Sequence, residues 1–246
     1  MRLQNHVFVQ FNANNPTALA WNSTKPMGFD KVPCNARYIQ ILHSEEKCHW
    51  VCMASIDGSQ NNLFDSLRTV SDISKKDKDN FLIPLPIDIQ KQIVSYLSSP
   101  EDIHIHVSKV QQQIGGEDCG VFAIAFATHI AFGEDPTGVV FDGSKIMRNH
   151  LVQCLENGRM TQFPQTHKRL RGSTFCEKEK LTILRYCVCR EIYDIQKNMV
   201  ECSMCSKWYH ILCVVKSQNK ISKILKDKDF AWNCEQCTSN KKEYSS

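Results

Sequence analysis

The 246-residue chain lacks an apolar run of about 18 residues, the length that a membrane span needs. It also lacks a basic start followed by a short apolar core, so no secretory signal is predicted. Internal repeats and long low-complexity segments are absent from the sequence as well. Together these absences predict a soluble, intracellular protein without a membrane partner, in a compartment where thiols stay reduced.

Cysteine is abundant, and both cysteine and charge are unevenly distributed along the chain. Of the 13 cysteines, five precede residue 164 and eight follow it. Residues 1–163 carry a net charge of −3, whereas residues 164–246 carry +7. This change in composition predicts a larger domain over 1–163, a basic linker over 164–184 and a small cysteine-rich domain over 185–240.

Local patterns in the larger domain predict both strands and helices. Segments rich in aromatic and β-branched residues predict strands, and apolar residues at helical spacing predict helices. The predicted elements are strands over 36–43, 48–56 and 102–110, a turn over 57–62, and helices over 87–97, from Gly120 onward and over 142–158. This order of elements predicts an α+β fold, with the helix after Gly120 at its centre because that helix is apolar on every side.

Cys119 lies between a loop rich in glycine and acid and an apolar run, in "QQQIGGEDCGVFAIAFA" (111–127). A thiol attacks acyl carbon only as the thiolate, so a nucleophilic cysteine needs a base and a donor for the oxyanion. The predicted start of a helix at Cys119 would favour an anion there. The alternative is a buried structural thiol, which is common among free cysteines.

Three residues that precede Cys119 in the chain are candidate partners for it. His49, in the first strand of the predicted hairpin, is the candidate base, and Asp65 after the turn is the candidate that orients its imidazole. Gln113 precedes Cys119 by six residues and is the candidate oxyanion donor. Asp57 competes with Asp65 but is better explained as the first residue of an Asp-Gly turn.

The choice of glutamine depends only on that six-residue spacing, because Gln111 and Gln112 are direct neighbours of Gln113. Those two positions therefore stay open as alternatives.

This combination resembles the Ulp-type (sentrin-specific) cysteine proteases, which cleave SUMO and similar ubiquitin-like modifiers from precursors and conjugates. The matching pieces are "HWVCMASID" (49–57), "LFDS" (63–66) and "QIGGEDCG" (113–120), within a resemblance that covers roughly 37–160. It implies a papain-like α+β domain, truncated or shortened on its amino-terminal side because only 48 residues precede His49.

The same resemblance implies a role for each catalytic residue. His49 is the general base and acid, Asp65 orients it, Gln113 donates to the oxyanion and Cys119 is the nucleophile. Trp50 resembles the tryptophan that covers the tunnel for the Gly-Gly tail of the modifier. The alternative for Trp50 is a large aromatic residue of the core.

Eight potential metal ligands follow in four close pairs. Tetrahedral zinc takes four nitrogen or sulfur ligands, and a close pair on a turn supplies two of them, so four pairs predict two structural Zn²⁺ ions. A disulfide framework is disfavoured in an intracellular protein. The pairs are Cys187 and Cys189, Cys202 and Cys205, His210 and Cys213, and Cys234 and Cys237.

The series resembles a plant homeodomain (PHD) finger, in which the pairs interleave. The resemblance implies that the first and third pairs bind one zinc and the second and fourth pairs bind the other. Trp232 resembles the packing tryptophan of that family. A RING domain is the alternative, disfavoured by the histidine as fifth ligand and by the single residue inside the first pair.

Many PHD fingers bind the free amino end of a histone tail, and one subset encloses methylated lysine by cation–π attraction. Tyr186, Met199 and Trp208 resemble the walls of that cage. Simple packing of Trp208 is the alternative, and the acidic position expected after Cys202 is Ser203 here.

These observations predict a nuclear cysteine peptidase that cleaves after Gly-Gly of a ubiquitin-like modifier and is directed to chromatin by a histone-reading zinc finger. The alternative is a catalytically inactive chromatin-binding or interaction protein, for which an origin in a mobile element is left open. The basic segment "HKRLRG" (167–172) is expected to be a solvated connector, with nucleic-acid contact or a nuclear import signal as its alternatives.

Overall fold

The computed structural model describes residues 32–33, 35–67, 85–99, 102–166, 179–192, 197–227 and 230–243. The chain divides into a larger unit that extends to Thr182 and a smaller unit that begins at Ile183, with Pro100–Ile103 assigned to the smaller one. The basic segment 167–172 lies outside the described residues.

The larger unit mixes helices and strands, which confirms the predicted α+β class. The helices among its described residues are α1 (Ile87–Tyr96), α2 (Cys119–Ala131) and α3 (Ser144–Glu156). Its strands are β1 (Val32–Pro33), β2 (Tyr38–Ser44), β3 (His49–Ser55), β4 (Asn61–Phe64), β5 (Leu97–Ser98), β6 (Ile103–Ser108), β7 (Val140–Phe141), β8 (Gln165–Thr166) and β9 (Glu179–Ile183). No helix in the described ranges combines the length and the apolar character that crossing a bilayer requires.

A five-stranded sheet in the order β2-β3-β4-β6-β9 is the framework of this unit. β3 pairs antiparallel with β2 and β4, whereas β4 pairs parallel with β6. A parallel step requires a crossover, and the connection from β4 to β6 contains α1.

The edge strand β9 lies inside the segment 164–184, for which the sequence predicts a linker. Only Leu181 and Ile183 of this strand are buried apolar residues. Two alternating positions are too few to predict a strand from the sequence, so part of that segment belongs to the sheet instead.

The turn between β3 and β4 determines where the chain enters β4. Oδ1 of Asp57 accepts a hydrogen bond from the backbone N–H of Ser59 at 2.8 Å, as in an Asx turn. Gly58 has a φ of +83°, and a Cβ at this position would lie 2.4 Å from the carbonyl oxygen of Asn35. Only glycine fits here, and the turn delivers Asp65 directly after β4.

Helix α2 forms the centre of the larger unit. It packs against β2 and β3, and its Ala125 and Phe126 are almost fully buried. A helix that is apolar on every side is stable only when it is surrounded by protein. The helix ends at Ala131, and Gly133 just beyond it has a φ of +89° and donates to the Ile130 carbonyl at 2.9 Å, as is typical of a glycine helix terminus.

The described residues of the smaller unit form two short hairpins, three helices and a small core. In that core, the rings of Tyr209 and Trp232 have centroids 5.3 Å apart, so Trp232 packs as predicted. Its elements are β10 (Arg185–Tyr186), β11 (Glu191–Ile192), β12 (Met199–Glu201), β13 (Trp208–His210), α4 (Ile211–Val214), α5 (Gln218–Lys226) and α6 (Glu235–Glu243).

Candidate functional site

His49 and Asp65 form a close pair. His49 is the first residue of β3 and Asp65 follows β4, so the antiparallel pairing of these strands brings the two side chains together. Nε2 of His49 lies 2.7 Å from Oδ1 of Asp65. The same Oδ1 accepts a hydrogen bond from the backbone N–H of Leu67 at 2.9 Å, which holds the buried carboxylate in place.

The second nitrogen of the imidazole, Nδ1 of His49, is buried and has no hydrogen-bond partner among the described residues. When Nε2 carries the proton and donates it to Asp65, Nδ1 carries a lone pair. The pair therefore presents an oriented base, and the atom that can accept a proton is Nδ1.

Cys119 is the first residue of α2, and its side chain is buried. The first backbone N–H groups of a helix have no partner inside the helix, and they favour an anion at this end. A Cβ on the next residue, Gly120, would lie 3.6 Å from Cδ1 of Trp50. The start of α2 therefore lies beside the start of β3, where His49 precedes Trp50.

Gln113 is anchored to the segment that follows β4. Its backbone N–H donates to the carbonyl of Ser66 at 2.8 Å, and the Ser66 hydroxyl donates to Oε1 of Gln113 at 2.6 Å. Nε2 of Gln113 donates to the carbonyl of Gly115 at 2.8 Å. The side-chain nitrogen of glutamine carries two N–H donors, and this hydrogen bond uses one of them. The part that Ser66 plays was not predicted, although it is the last residue of the "LFDS" motif.

The two neighbouring glutamines are tied to backbone groups elsewhere. The side chain of Gln111 makes two hydrogen bonds to the backbone of Phe141. Its Oε1 accepts from the N–H at 2.6 Å, and its Nε2 donates to the carbonyl at 3.4 Å. Nε2 of Gln112 donates to the carbonyl of Asp65 at 3.1 Å. These contacts favour Gln113 as the oxyanion donor, which remains a prediction.

Asp57, the alternative to Asp65, is exposed in the turn between β3 and β4. Hydrogen bonds from the backbone and the hydroxyl of Ser59 lower the pKa of Asp57 below its ordinary value. Its carboxylate thus serves the turn, while the carboxylate that contacts His49 is that of Asp65.

Trp50 contacts the imidazole of His43 and also lies near Gly120 at the start of α2. The two rings have centroids 4.2 Å apart, and the tryptophan is partly buried against the core. Its position next to His49 and Gly120 agrees with the predicted cover of a substrate tail, and its packing agrees with the alternative. Both roles stay predictions.

Two groups of four potential metal ligands stand in the smaller unit. Within each group the ligand atoms all lie within 4.8 Å of one another. Zinc–sulfur bonds of about 2.3 Å place tetrahedral sulfur ligands about 3.8 Å apart, and the sulfurs of Cys205 and Cys234 are 3.9 Å apart. The residues therefore fit tetrahedral metal. The first group is Cys187, Cys189, His210 and Cys213, and the second is Cys202, Cys205, Cys234 and Cys237.

The local backbone prepares Cys202 for metal, because the thiolate is the form of cysteine that binds it. Burial acts to raise the pKa of Cys202, but hydrogen bonds from the backbone N–H groups of Cys234, Met204 and Cys205 outweigh it and lower this pKa to about 6. The N–H of Cys234 lies 3.3 Å from the sulfur. None of the described cysteines forms a disulfide.

The three predicted cage residues lie on neighbouring strands. Met199 is on β12 and Trp208 on β13, which pair antiparallel, and the indole of Trp208 is 42% exposed. The backbone N–H of Cys187 donates to the carbonyl of Trp208 at 3.1 Å, which brings Tyr186 alongside. Glu201 stands directly opposite Trp208 in the pairing and was not predicted as part of this surface.

Comparison with family models gives two matches along the chain. A model described as the Ulp1 protease family, C-terminal catalytic domain, matches residues 26–167, which is more than half of the chain. A model described as PHD-finger matches residues 187–237.

Individual relatives match over short stretches. Lysine-specific demethylase 7A of Xenopus tropicalis is 40% identical over 50 residues, which is 20% of this chain and 5% of the demethylase. Histone lysine demethylase PHF8 of Danio rerio is 41% identical over 39 residues, 16% of this chain and 4% of that protein. Nucleosome-remodeling factor subunit NURF301-like of Caenorhabditis elegans is 32% identical over 54 residues, 22% of this chain and 2% of that protein. The matches thus span a small fraction of each relative.

Proposed function

Because this chain belongs to the Ulp1 protease family, we propose that it is a cysteine peptidase that cleaves after the Gly-Gly end of a ubiquitin-like modifier. The observation that carries the proposal is the contact of 2.7 Å between His49 and Asp65, which leaves the buried Nδ1 to act as a base. The proposed nucleophile is the thiol of Cys119, which lies at the start of α2 beside the strand that begins with His49.

In the proposed reaction the thiol of Cys119 gives its proton to Nδ1 of His49. The thiolate attacks the carbonyl carbon of the second glycine, and the imidazolium then protonates the leaving amine as a thioester forms. Water, deprotonated by His49, attacks the thioester and releases the carboxylate of the modifier and the thiol. Asp65 keeps the imidazole in the tautomer that makes each proton transfer possible.

The oxyanion of each tetrahedral intermediate needs donors that are fixed before the reaction. The hydroxyl of Ser66 and the carbonyl of Gly115 hold the amide of Gln113 in one orientation. This arrangement supports Gln113 as a donor through the second N–H of Nε2, together with the backbone N–H groups at the start of α2.

The test uses ubiquitin-like proteins that carry a thiol-reactive group at the carboxyl end. The full chain should form a covalent adduct with one or more of them, and Cys119→Ala should form none. His49→Ala should form the adduct about a thousandfold more slowly or worse. Equal labelling of Cys119→Ala contradicts the assignment of the nucleophile, and no adduct with any modifier favours the inactive interaction protein.

For the smaller unit we propose a PHD finger that holds two structural zinc ions and reads a histone tail in the nucleus. The first ion would be held by the group that contains His210, and the second by the group that contains Cys202. Bound zinc supplies the cross-links that so small a core needs. Relatives named as histone lysine demethylases and a nucleosome-remodeling factor support a chromatin partner.

The histone-reading proposal extends to methylated lysine. Tyr186, Met199 and Trp208 offer aromatic and thioether surface on adjacent strands, and cation–π attraction to such a surface favours a trimethylammonium group. A histone-tail peptide with trimethylated lysine near its free amino end should bind more tightly than the unmodified peptide. Acetylation of the amino end should weaken binding.

Titration of the full chain with these three peptides checks the methyl-lysine site. Trp208→Ala should cost about 1–2 kcal/mol, or about tenfold in affinity, without loss of metal. Leu212→Ala is the matched control, because Leu212 is another exposed apolar residue of the same unit, 79% exposed. Absence of a methyl preference, with metal bound, would leave Trp208 as a packing residue.

A further inference from the structure

Arg148 on α3 binds the two residues that immediately precede Cys119. Its Nε and Nη2 donate to Oδ1 of Asp118 at 3.1 and 2.7 Å. Nη2 also donates to the backbone carbonyl of Glu117 at 2.7 Å. Three hydrogen bonds from one guanidinium thus connect α3 to the joint between the loop and α2.

The loop that leads to this joint has little packing of its own. Gly115 has a φ of +86°, and a Cβ on Gly115 or Gly116 would meet no atom within 4 Å. Ile114 is 95% exposed. The loop is therefore fixed mainly at its two ends, by the contacts of Gln113 with Ser66 at one end and by Arg148 at the other.

The ion pair also changes what Asp118 does. An aspartate at the N-cap of a helix commonly accepts hydrogen bonds from the N–H groups of the first turn. Asp118 occupies the N-cap of α2 but makes no side-chain hydrogen bond to the helix. Its carboxylate is directed to Arg148 instead, and the first turn keeps its N–H groups for another anion.

Charge supports the same conclusion. A carboxylate beside Cys119 opposes a second negative charge on the sulfur, and a guanidinium that binds the carboxylate offsets this repulsion. The side chain of Asp118 is only 15% exposed, so solvent screens it less than it screens a surface carboxylate.

We propose that Arg148 is a positioning residue for the nucleophile. By holding Asp118 away from the first turn of α2, it fixes the end of the loop and keeps the N–H groups of that turn available to the thiolate and the oxyanion. The inference builds on the proposed role of Cys119 and adds a residue from a different helix to the site.

The test compares Arg148→Met, Arg148→Lys and the control Lys145→Met in the full chain. Lys145→Met removes one positive charge from the exposed side of the same helix. Arg148→Met should lower kcat for a cleavable modifier about tenfold and change KM by less than about twofold, because it misplaces the attacking group without removing substrate contacts. Arg148→Lys, which retains the charge, should recover part of kcat, and Lys145→Met should match the unmodified protein.

Thermal unfolding separates positioning from a general loss of structure. An ion pair in which the arginine is 52% exposed contributes little to stability, so Arg148→Met should shift Tm by only a few degrees at most. An unchanged kcat in Arg148→Met contradicts the inference. A fall in kcat that only follows the fraction of unfolded protein contradicts it as well.

A second readout does not depend on the identity of the substrate. Iodoacetamide alkylation of Cys119, followed by mass spectrometry, should slow several-fold in Arg148→Met, while alkylation of the exposed Cys48 stays unchanged. If this occurs and no modifier is cleaved, the inference on Arg148 holds and the proposed substrate is wrong. Equal alkylation of Cys119 in both proteins overturns the inference on Arg148.

Discussion

At the scale of single residues, the two aspartates that follow His49 most closely in the chain, Asp57 and Asp65, make different contacts. Asp57 stabilises a turn through Ser59, and Asp65 contacts the imidazole at 2.7 Å. The two carboxylates have the same chemistry. Their contacts differ because Asp57 precedes β4 and Asp65 follows it. The difference can be tested with a single kind of substitution.

Asp65→Asn should lower kcat/KM for a modifier substrate by about 10³- to 10⁴-fold, because an amide neither stabilises the imidazolium nor enforces the required tautomer. Asp57→Asn is the matched control, since asparagine also forms Asx turns and should leave kcat/KM within about twofold. Steady-state kinetics on purified variants measures both. The opposite ranking would transfer the orienting role to Asp57.

At the scale of elements, the sequence predicts what depends on local pattern. The all-apolar run after Gly120 predicts the buried central helix, and the composition of 36–43 and 48–56 predicts the strands β2 and β3, because each of these signals extends over many residues. The strand β9 is missed because its pattern is limited to Leu181 and Ile183. Secondary-structure patterns contain no information on which edge of a sheet a short segment joins.

The same limit applies to the candidate site. The order of His49, Asp65, Gln113 and Cys119 follows from motifs, since each motif is contiguous in the sequence. The partners that hold these motifs in place are not contiguous: Ser66 and Gln113 are 47 residues apart, and Arg148 and Asp118 are 30 apart. Such contacts are consequences of the tertiary fold, and a single sequence does not indicate them.

The last turn of α2 makes the stability of the larger unit sensitive to acid. His129 is 4% exposed, and burial lowers the pKa of His129 even though the Glu134 carboxylate, 3.1 Å from Nε2, acts to raise it. The unfolded chain takes up the proton near the ordinary pKa of about 6.5, and the folded chain takes it up only at lower pH. The unfolded state thus binds more protons, and stability falls as the pH drops below about 6.5.

Urea unfolding at pH 7.5 and at pH 5.5 measures this effect. The loss of unfolding free energy between the two conditions should be smaller in His129→Gln than in the unmodified protein. His104→Gln, at an exposed position, should retain the full loss. An equal loss in all three proteins would exclude His129 as its source.

At the scale of the whole molecule, the two units depend on different sources of stability. The larger unit has a core built around α2 and the sheet. The buried cluster of the smaller unit contains few apolar side chains, among them Val200, Tyr209 and Trp232, and three of the eight potential metal ligands, Cys187, Cys202 and Cys234, belong to it. A core of this size is too small to stabilise a folded domain without cross-links, and bound metal would supply them.

Removal of metal should therefore unfold the smaller unit and spare the larger one. Elemental analysis of the purified chain should give two zinc ions, and a strong chelator should expose residues 187–237 to protease while the larger unit keeps its protection. Cys237→Ser should lower the zinc content, and Cys48→Ser, outside both groups, should not. One ion per chain would contradict the proposal of two zinc sites. Unfolding of the larger unit upon chelation would contradict the proposal that metal stabilises only the smaller unit.

The interleaving of the two ligand groups also determines the order in which the two sets of ligands are completed during synthesis. A ribosome releases the chain from its amino end, so the group that contains His210 is complete once Cys213 has emerged, while the other group still lacks Cys234 and Cys237. A nascent chain at that stage holds one full set of ligands and two thiols of the next. We expect metal loading to follow the same sequence, with the second ion captured only after translation has passed α5.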